Sequence, residues 1–478
     1  MIARILSQRG CWLSLLLMAA PALHAQDSGA NPAPPPTTAP QSTAVASPPI
    51  NPVDNPPISG LDVPSLEPET GPKNFWQPAL HFSESVDTNV ESGLGGGAVK
   101  SVTRGLSSLA LQREWSHDKL VLEYEGGAAY YNASGIGVRS VQQFDVEQRV
   151  EWQRGHFGIH NSFNYLPEGT FGAAYGSLNG LGGILSGGSS PVFFGGGSFG
   201  SLGQVPRIMN LTLADVVEDL SPKSSLTLAA GYGVLHFTGN ETVLGPDFQP
   251  IGFIGNSQVT AQAGYSRVLG PHDQGALVYG YQGFNFSATG LGFHSHVLQL
   301  MWGHRLSGRM DFLAGIGPQI TQIAILGVQS TSVGAAGRVS LRYRFPQTSL
   351  HLSYDHYNTA GSGFFAGQKS DVLRFGAERP LTRLWSVGTD AGYAYSQRLQ
   401  PTPAGVGVNA AIYGYGFAGA ALHRMFTRNL HGYVSYQFND LYFNAGACAV
   451  PGPVCERTSQ RHVATVGIDW APKPIRID

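Results

Sequence analysis

Residues 143–153 read Gln143-Phe144-Asp145-Val146-Glu147-Gln148-Arg149-Val150-Glu151-Trp152-Gln153. In a strand successive side chains leave on opposite faces. Phe144, Val146, Val150 and Trp152 then share one face, and Gln143, Asp145, Glu147, Arg149 and Glu151 share the other. The same period of two recurs on both sides of this stretch. Leu120, Leu122 and Tyr124 oppose Lys119, Glu123 and Glu125. Val339, Leu341, Tyr343 and Phe345 oppose Arg338, Ser340, Arg342 and Arg344. Near the end of the chain Leu430, Val434, Tyr436 and Phe438 oppose His431, Ser435, Gln437 and Asn439. Such alternation is the signature of strands with one apolar and one polar face.

A soluble sandwich with one wet face would alternate too. Three features point instead to a membrane barrel. Many alternating stretches run to about a dozen residues, roughly twice the usual soluble strand. Aromatic residues collect near strand ends, at Trp115, Tyr130, Tyr131, Trp152, Trp302, Trp385 and Trp470, as interfacial girdles require. Short turns alternate with longer connections. The short turns fall at Ser116–Asp118, Gln153–Gly155, Ser221–Lys223, Gly270–Asp273, Ser307–Arg309, Pro346–Thr348, Arg379–Arg383 and Thr427–Asn429. Eight such turns and nine outer connections give an antiparallel up-and-down β-barrel of about 18 strands, with both termini on the periplasmic side. An open sheet edge would leave unpaired backbone groups in lipid, each costing several kcal/mol, so the ring must close. The last strand, Arg461 to Trp470, is therefore expected to pair with the first, near Ala79 to Asp87.

The composition agrees. Only 13% of the 478 residues are charged, against about 25% in soluble domains, while 63 glycines and 10% aromatics stand out. The net charge of −2 offers no basic excess for nucleic acid. Residues 1–25 read as a secretory signal peptide: Arg4 and Arg9 precede a short apolar run, and Ala25 suits the last leader position. Residues 26–73 are rich in Pro, Ala, Ser and Thr, cannot bury enough surface to offset chain entropy, and are expected to form a disordered spacer. A periplasmic partner for this Pro-rich segment is a second use of such a composition. Residues 74–478 form the barrel. Cys448 and Cys455 flank the turn signal Pro451-Gly452. A disulfide between them would close a small loop and contribute about 2–3 kcal/mol.

With its leader, alternation and aromatic girdles, residues 74–478 resemble the bacterial outer-membrane β-barrel family, porin-like proteins included. The resemblance implies insertion into outer-membrane lipid by the barrel-assembly machinery, which often reads a terminal aromatic strand. Here Gly467, Ile468 and Trp470 occupy that strand, yet eight further residues follow, ending in Asp478. General diffusion porins fold their third outer loop inward. The connection Pro167 to Val205 occupies the corresponding place, but it is apolar and nearly uncharged, so the similarity is one of position.

A barrel of this size leaves an aqueous lumen, and the inward residues carry both signs of charge. Glu123, Glu125, Asp145, Glu147 and Glu151 suggest an acidic wall, diluted by Lys119 and Arg149. Arg338, Arg342 and Arg344 suggest a basic wall. Nine strands apart in a ring of eighteen, the two would face each other across the pore. The bland reading is that these charges hydrate the lumen or pair locally. No catalytic spacing, Cys/His metal spacing, cofactor motif or P-loop occurs; His156 and His160 diverge along a strand instead of converging as on a helix. The leading functional reading is a channel passing polar solutes or exporting a polymer such as polysaccharide. The competing one is a non-conducting surface barrel whose outer loops serve adhesion or scaffolding.

Overall fold

The computed structural model describes residues 58–59, 73–89, 99–132, 137–166, 206–238, 243–244, 250–251, 255–286, 292–325, 328–359, 367–399, 412–443 and 457–477. All of them belong to one compact unit, Ser47–Asp478. The wall begins with β1 (Phe75–Asp87), β2 (Lys100–Glu114), β3 (Asp118–Tyr131), β4 (Gly137–Trp152), β5 (Gly155–Leu166), β6 (Arg207–Ser221) and β7 (Ser224–Phe237). A small ribbon follows, made of β8 (Val243–Leu244) and β9 (Pro250–Ile251). The wall resumes with β10 (Asn256–Val268), β11 (Asp273–Phe286), β12 (Gly292–Ser307), β13 (Met310–Ile325), β14 (Val328–Arg344) and β15 (Ser349–Thr359). It ends with β16 (Gln368–Pro380), β17 (Trp385–Arg398), β18 (Ile412–Met425), β19 (Leu430–Phe443) and β20 (Arg457–Trp470); the two-residue β21 (Ile475–Arg476) comes last.

Each wall strand pairs antiparallel with the next, β7 pairs β10, and β20 returns to β1 from Leu80↔Trp470 to Asp87↔Val463. Among the described residues the wall is thus a closed ring of eighteen strands. All eight short turns fall between strands where the alternation pattern places them. The nine remaining connections are unequal, and the one joining β13 to β14 holds only residues 326–327.

Two prolines show how the ring accommodates a missing donor. Pro318 of β13 lacks an N–H, and the β12–β13 register lapses between Val297↔Gln319 and Leu300↔Ile316. Gly317 lets the backbone close in there, since a Cβ would lie 1.7 Å from the carbonyl oxygen of Leu298. Pro78 of β1 falls where the far edge of that strand passes from β21, at Phe75↔Arg476 and Trp76↔Ile475, to β20 at Leu80. Gln77 Nε2 bridges this gap by donating to the Pro472 carbonyl at 2.8 Å. The residues beyond Trp470 therefore extend the seam.

The strands separate two chemistries. Outward residues such as Leu80, Phe82, Leu228, Leu300, Ile316, Val333, Phe375 and Val434 are exposed, Val333 at 74%. Inward Val278 and Phe284 are at 0%. So large an apolar exterior requires lipid contact. Its edge at the short-turn end is aromatic: Trp76, Trp115, Trp152, Trp302, Phe345, Phe426 and Trp470 are all exposed. Arg113 lies over Trp115 at 5.2 Å and Arg424 over Trp385 at 4.9 Å, an arrangement suited to a girdle between tails and headgroups. Tyr131, expected in a girdle, instead points inward and is 1% exposed. It shares the inward face with Glu123 and Glu125 and packs with Val102, Ala129 and Val141.

Candidate transport lumen

The register fixes which side chains share the inner face. Glu123 pairs with Asp145, Glu125 with Gln143, and Val121 with Glu147 across β3 and β4; Glu151 pairs with His156 of β5. All five acids of the expected acidic wall share one face. Three of them sit beside local partners. Glu147 Oε1 lies 3.2 Å from Arg149 Nη2, Lys119 Nζ lies 3.2 Å from Glu151, and Asp145 lies 3.7 Å from His160 Nε2. Gln143 Nε2 also donates to Asp145 at 3.2 Å. The acids continue across the seam, where His81 Nδ1 lies 2.9 Å from Asp469 Oδ1 and Asp87 pairs with Arg461.

Arg338, Arg342 and Arg344 share the inner face of β14, nine strands around the ring from β3. Neighbouring strands bring a carboxylate beside one of them. Asp311 of β13 is in register with Arg342 but lies 3.6 Å from Arg305 Nε of β12, leaving Arg342 exposed, and Asp355 of β15 pairs with Arg338, at 3.9 Å from its Nε. The alternation within β14 could not reveal these pairings, because it says nothing of the strands alongside.

Between these regions lies an arc with no inward charge until Arg305, near the short-turn end. From β7 through β10, β11 and β12 the inner face is built of Ser, Thr, Ala, Gly, Asn, Gln, Val, Leu, Phe and Met, including Thr227, Gln262, Gly264, Gln282, Gln299 and Gly303. Two residues from far upstream pack here. Ser59 is fully buried, its Oγ 3.0 Å from Thr227 Oγ1, and its carbonyl accepts a 2.8 Å bond from Gln262 Nε2. Ile58 packs against the inward apolar cluster that includes Val278 and Met301. Within the segment 26–73, expected as a disordered or extended spacer, Ile58 and Ser59 are described and packed, because a lumen wall offers them burial that the segment's composition cannot supply. Residues 26–57 and 60–72, the Pro167–Val205 connection and the Cys448/Cys455 pair lie outside the described residues.

The outer face also carries polar side chains that meet across strands. Tyr279 and His296 are 2.8 Å apart, Tyr436 and His462 2.7 Å, and Asn161 Nδ2 donates to Thr212 Oγ1 at 2.7 Å. Pairing of this kind satisfies groups that lipid cannot.

No family model and no curated protein matches the chain. Solved structures do. The OccK2 (OpdF) protein of Pseudomonas aeruginosa is 12% identical, with a TM-score of 0.42 over 83% of this chain and 99% of its own. OccK3 (OpdO) of the same organism is 11% identical, with a TM-score of 0.42 over 83% and 96%. The FrpB iron transporter of Neisseria meningitidis is 7% identical, with a TM-score of 0.41 over 84% and 82%.

Proposed function

We propose that the protein is an outer-membrane channel for small polar solutes, with both termini periplasmic. One observation carries the reading: a closed ring of eighteen strands is apolar outside and carries charged and polar side chains along much of its inner face. Small barrels fill their interior with side chains, whereas rings of 16–18 strands enclose water. Charges lining such a passage keep it hydrated and act on solutes more strongly than in open water, because low-dielectric walls focus the field. Glu123, Glu125, Asp145, Glu147 and Glu151 would favour cations on one side, and Arg338, Arg342 and Arg344 anions on the other. Export of a polymer such as polysaccharide is a narrower form of the reading; it draws on the small inward side chains of Ser386, Gly388 and Gly392. Assembly by the barrel machinery, with Trp470 in the terminal strand, belongs to the same proposal.

The test is reconstitution into planar bilayers. Discrete conductance steps are expected from the full chain. Their complete absence would overturn the channel and leave a surface barrel acting through its outer loops.

A further inference from the structure

Thr227, Gly264, Val278 and Gln299 form one register row across β7, β10, β11 and β12. Ser59 is seated at the first two. A Cβ on Gly264 would lie 2.7 Å from that of Ser59, so this glycine makes the seat. A Cβ on Gly303 would lie 3.3 Å from Ile58 Cγ2, a second seat four residues along β12 from Gln299. Gln262 recognises the segment through its backbone, at the Ser59 carbonyl. At the far end of the row, Gln299 is at 0% exposure, and neither of its amide atoms has a hydrogen-bond partner.

These features select a ligand class. A polypeptide turn such as Ile58–Ser59 is uncharged along its backbone but rich in obligatory donors and acceptors. It needs side-chain amides and hydroxyls as partners, glycines for close approach, and no ionised group that would lose water on contact. The arc from β7 to β12 supplies all three. The charged walls on either side do not.

We propose that the inner face of β7 and β10–β12 is a binding site for polypeptide backbone, that its resident ligand is the turn of the chain's own segment at Ile58–Ser59, and that this docking narrows the channel. The narrowing rests on the channel reading above; the docking does not.

Replacing Ser59 and Thr227 together by Cys in the full chain places two sulfurs where two hydroxyls now meet. Mild oxidation followed by mass spectrometry should recover the peptide around residue 59 linked to the peptide around residue 227. Failure to recover it overturns the docking. Adding Gly264→Leu, or separately Gly303→Leu, should lower the yield of that link about tenfold, which is what loss of the seat's hydrogen bonds would do. Unchanged yields in both overturn the seat. In bilayers, Gly264→Leu alone should conduct more than the parent, and the oxidised Cys pair should not exceed its reduced form. Equal conductance in all of these overturns the narrowing. If none conducts, the channel reading fails, while the cross-link still decides the docking.

Discussion

Two arcs of the same wall treat the lumen in opposite ways. On β3–β5 nearly every second inward residue is ionisable, and several of the charges sit near a partner on their own or the next strand, as Glu147 does beside Arg149. On β7 and β10–β12 the inward face carries no charge before Arg305, yet it is the more deeply covered of the two: Thr260, Gln282, Ser295 and Gln299 are at most 2% exposed. Backbone geometry is the same in both. The difference shows that antiparallel pairing alone leaves the inner surface chemically free, so that one ring holds a charged arc and a neutral arc side by side.

Both halves of that comparison assume the same division of inside from outside, and the largest expected effect tests it. Leu341→Arg, on the lipid face, should cost about 2–4 kcal/mol in equilibrium folding into vesicles, whereas Ser340→Arg on the lumen face should cost little. Equal penalties would break the register for both arcs. The second prediction isolates the charged region. Changing Arg338, Arg342 and Arg344 together to Glu should move reversal potentials under a salt gradient toward cation selectivity. Changing Glu123, Asp145 and Glu147 to Lys should move them toward anions. Both shifts should shrink between 0.1 M and 1 M salt, as the screening length falls from about 10 Å to about 3 Å. A third, smaller effect separates exposed from offset charge. Arg342→Glu should shift selectivity more than Arg338→Glu, because Arg342 is open to the lumen while Arg338 lies against Asp355. Equal shifts would mean that local pairing does not mute a lumen charge. The smallest effect belongs to the neutral arc. Thr227→Val removes one hydroxyl partner of Ser59 and should weaken docking by about 1 kcal/mol, seen as about fivefold faster hydrogen exchange at Ser59.

Much of the wall was legible because its signals are local. Alternation in residues 143–153 identifies β4 and its two faces without reference to any other strand, and the turn residues at Gly270–Asp273 or Thr427–Asn429 mark where the chain reverses. Closure followed from a physical prohibition, and the seam from Leu80 to Asp87 lies inside the expected stretch. What depends on neighbours could not be read. Asp355 offsets Arg338, and Asp311 meets Arg305 of β12, only through the stagger of adjacent strands, and a period of two carries no information about stagger. Tyr131 looked like a girdle residue because it adjoins Tyr130 at a strand end, yet consecutive residues must face opposite ways, and only one of them can meet lipid. Ile58 and Ser59 sit in a Pro-rich stretch whose composition announces no core. Their burial comes from glycines more than 200 positions away.

The seam between β1 and β20 has a consequence for the order of events during assembly. Its eight register pairs, from Leu80↔Trp470 to Asp87↔Val463, join residues separated by nearly the whole chain, whereas β1 and β2 make thirteen pairs across residues 88–99 alone. Hairpins along the chain form by local search; the seam waits until the rest of the ring has brought its edges together, since non-local pairing is the slow part of folding. Ile58 and Ser59 lie on the free side of β1, before the wall begins. A growing ring with an open flank admits that segment sideways, onto strands from the middle of the sequence, before β20 arrives. After closure the same segment has only the two mouths through which to enter or leave. The last bonds to form in the wall are therefore also the ones that turn a docked peptide into a captive one.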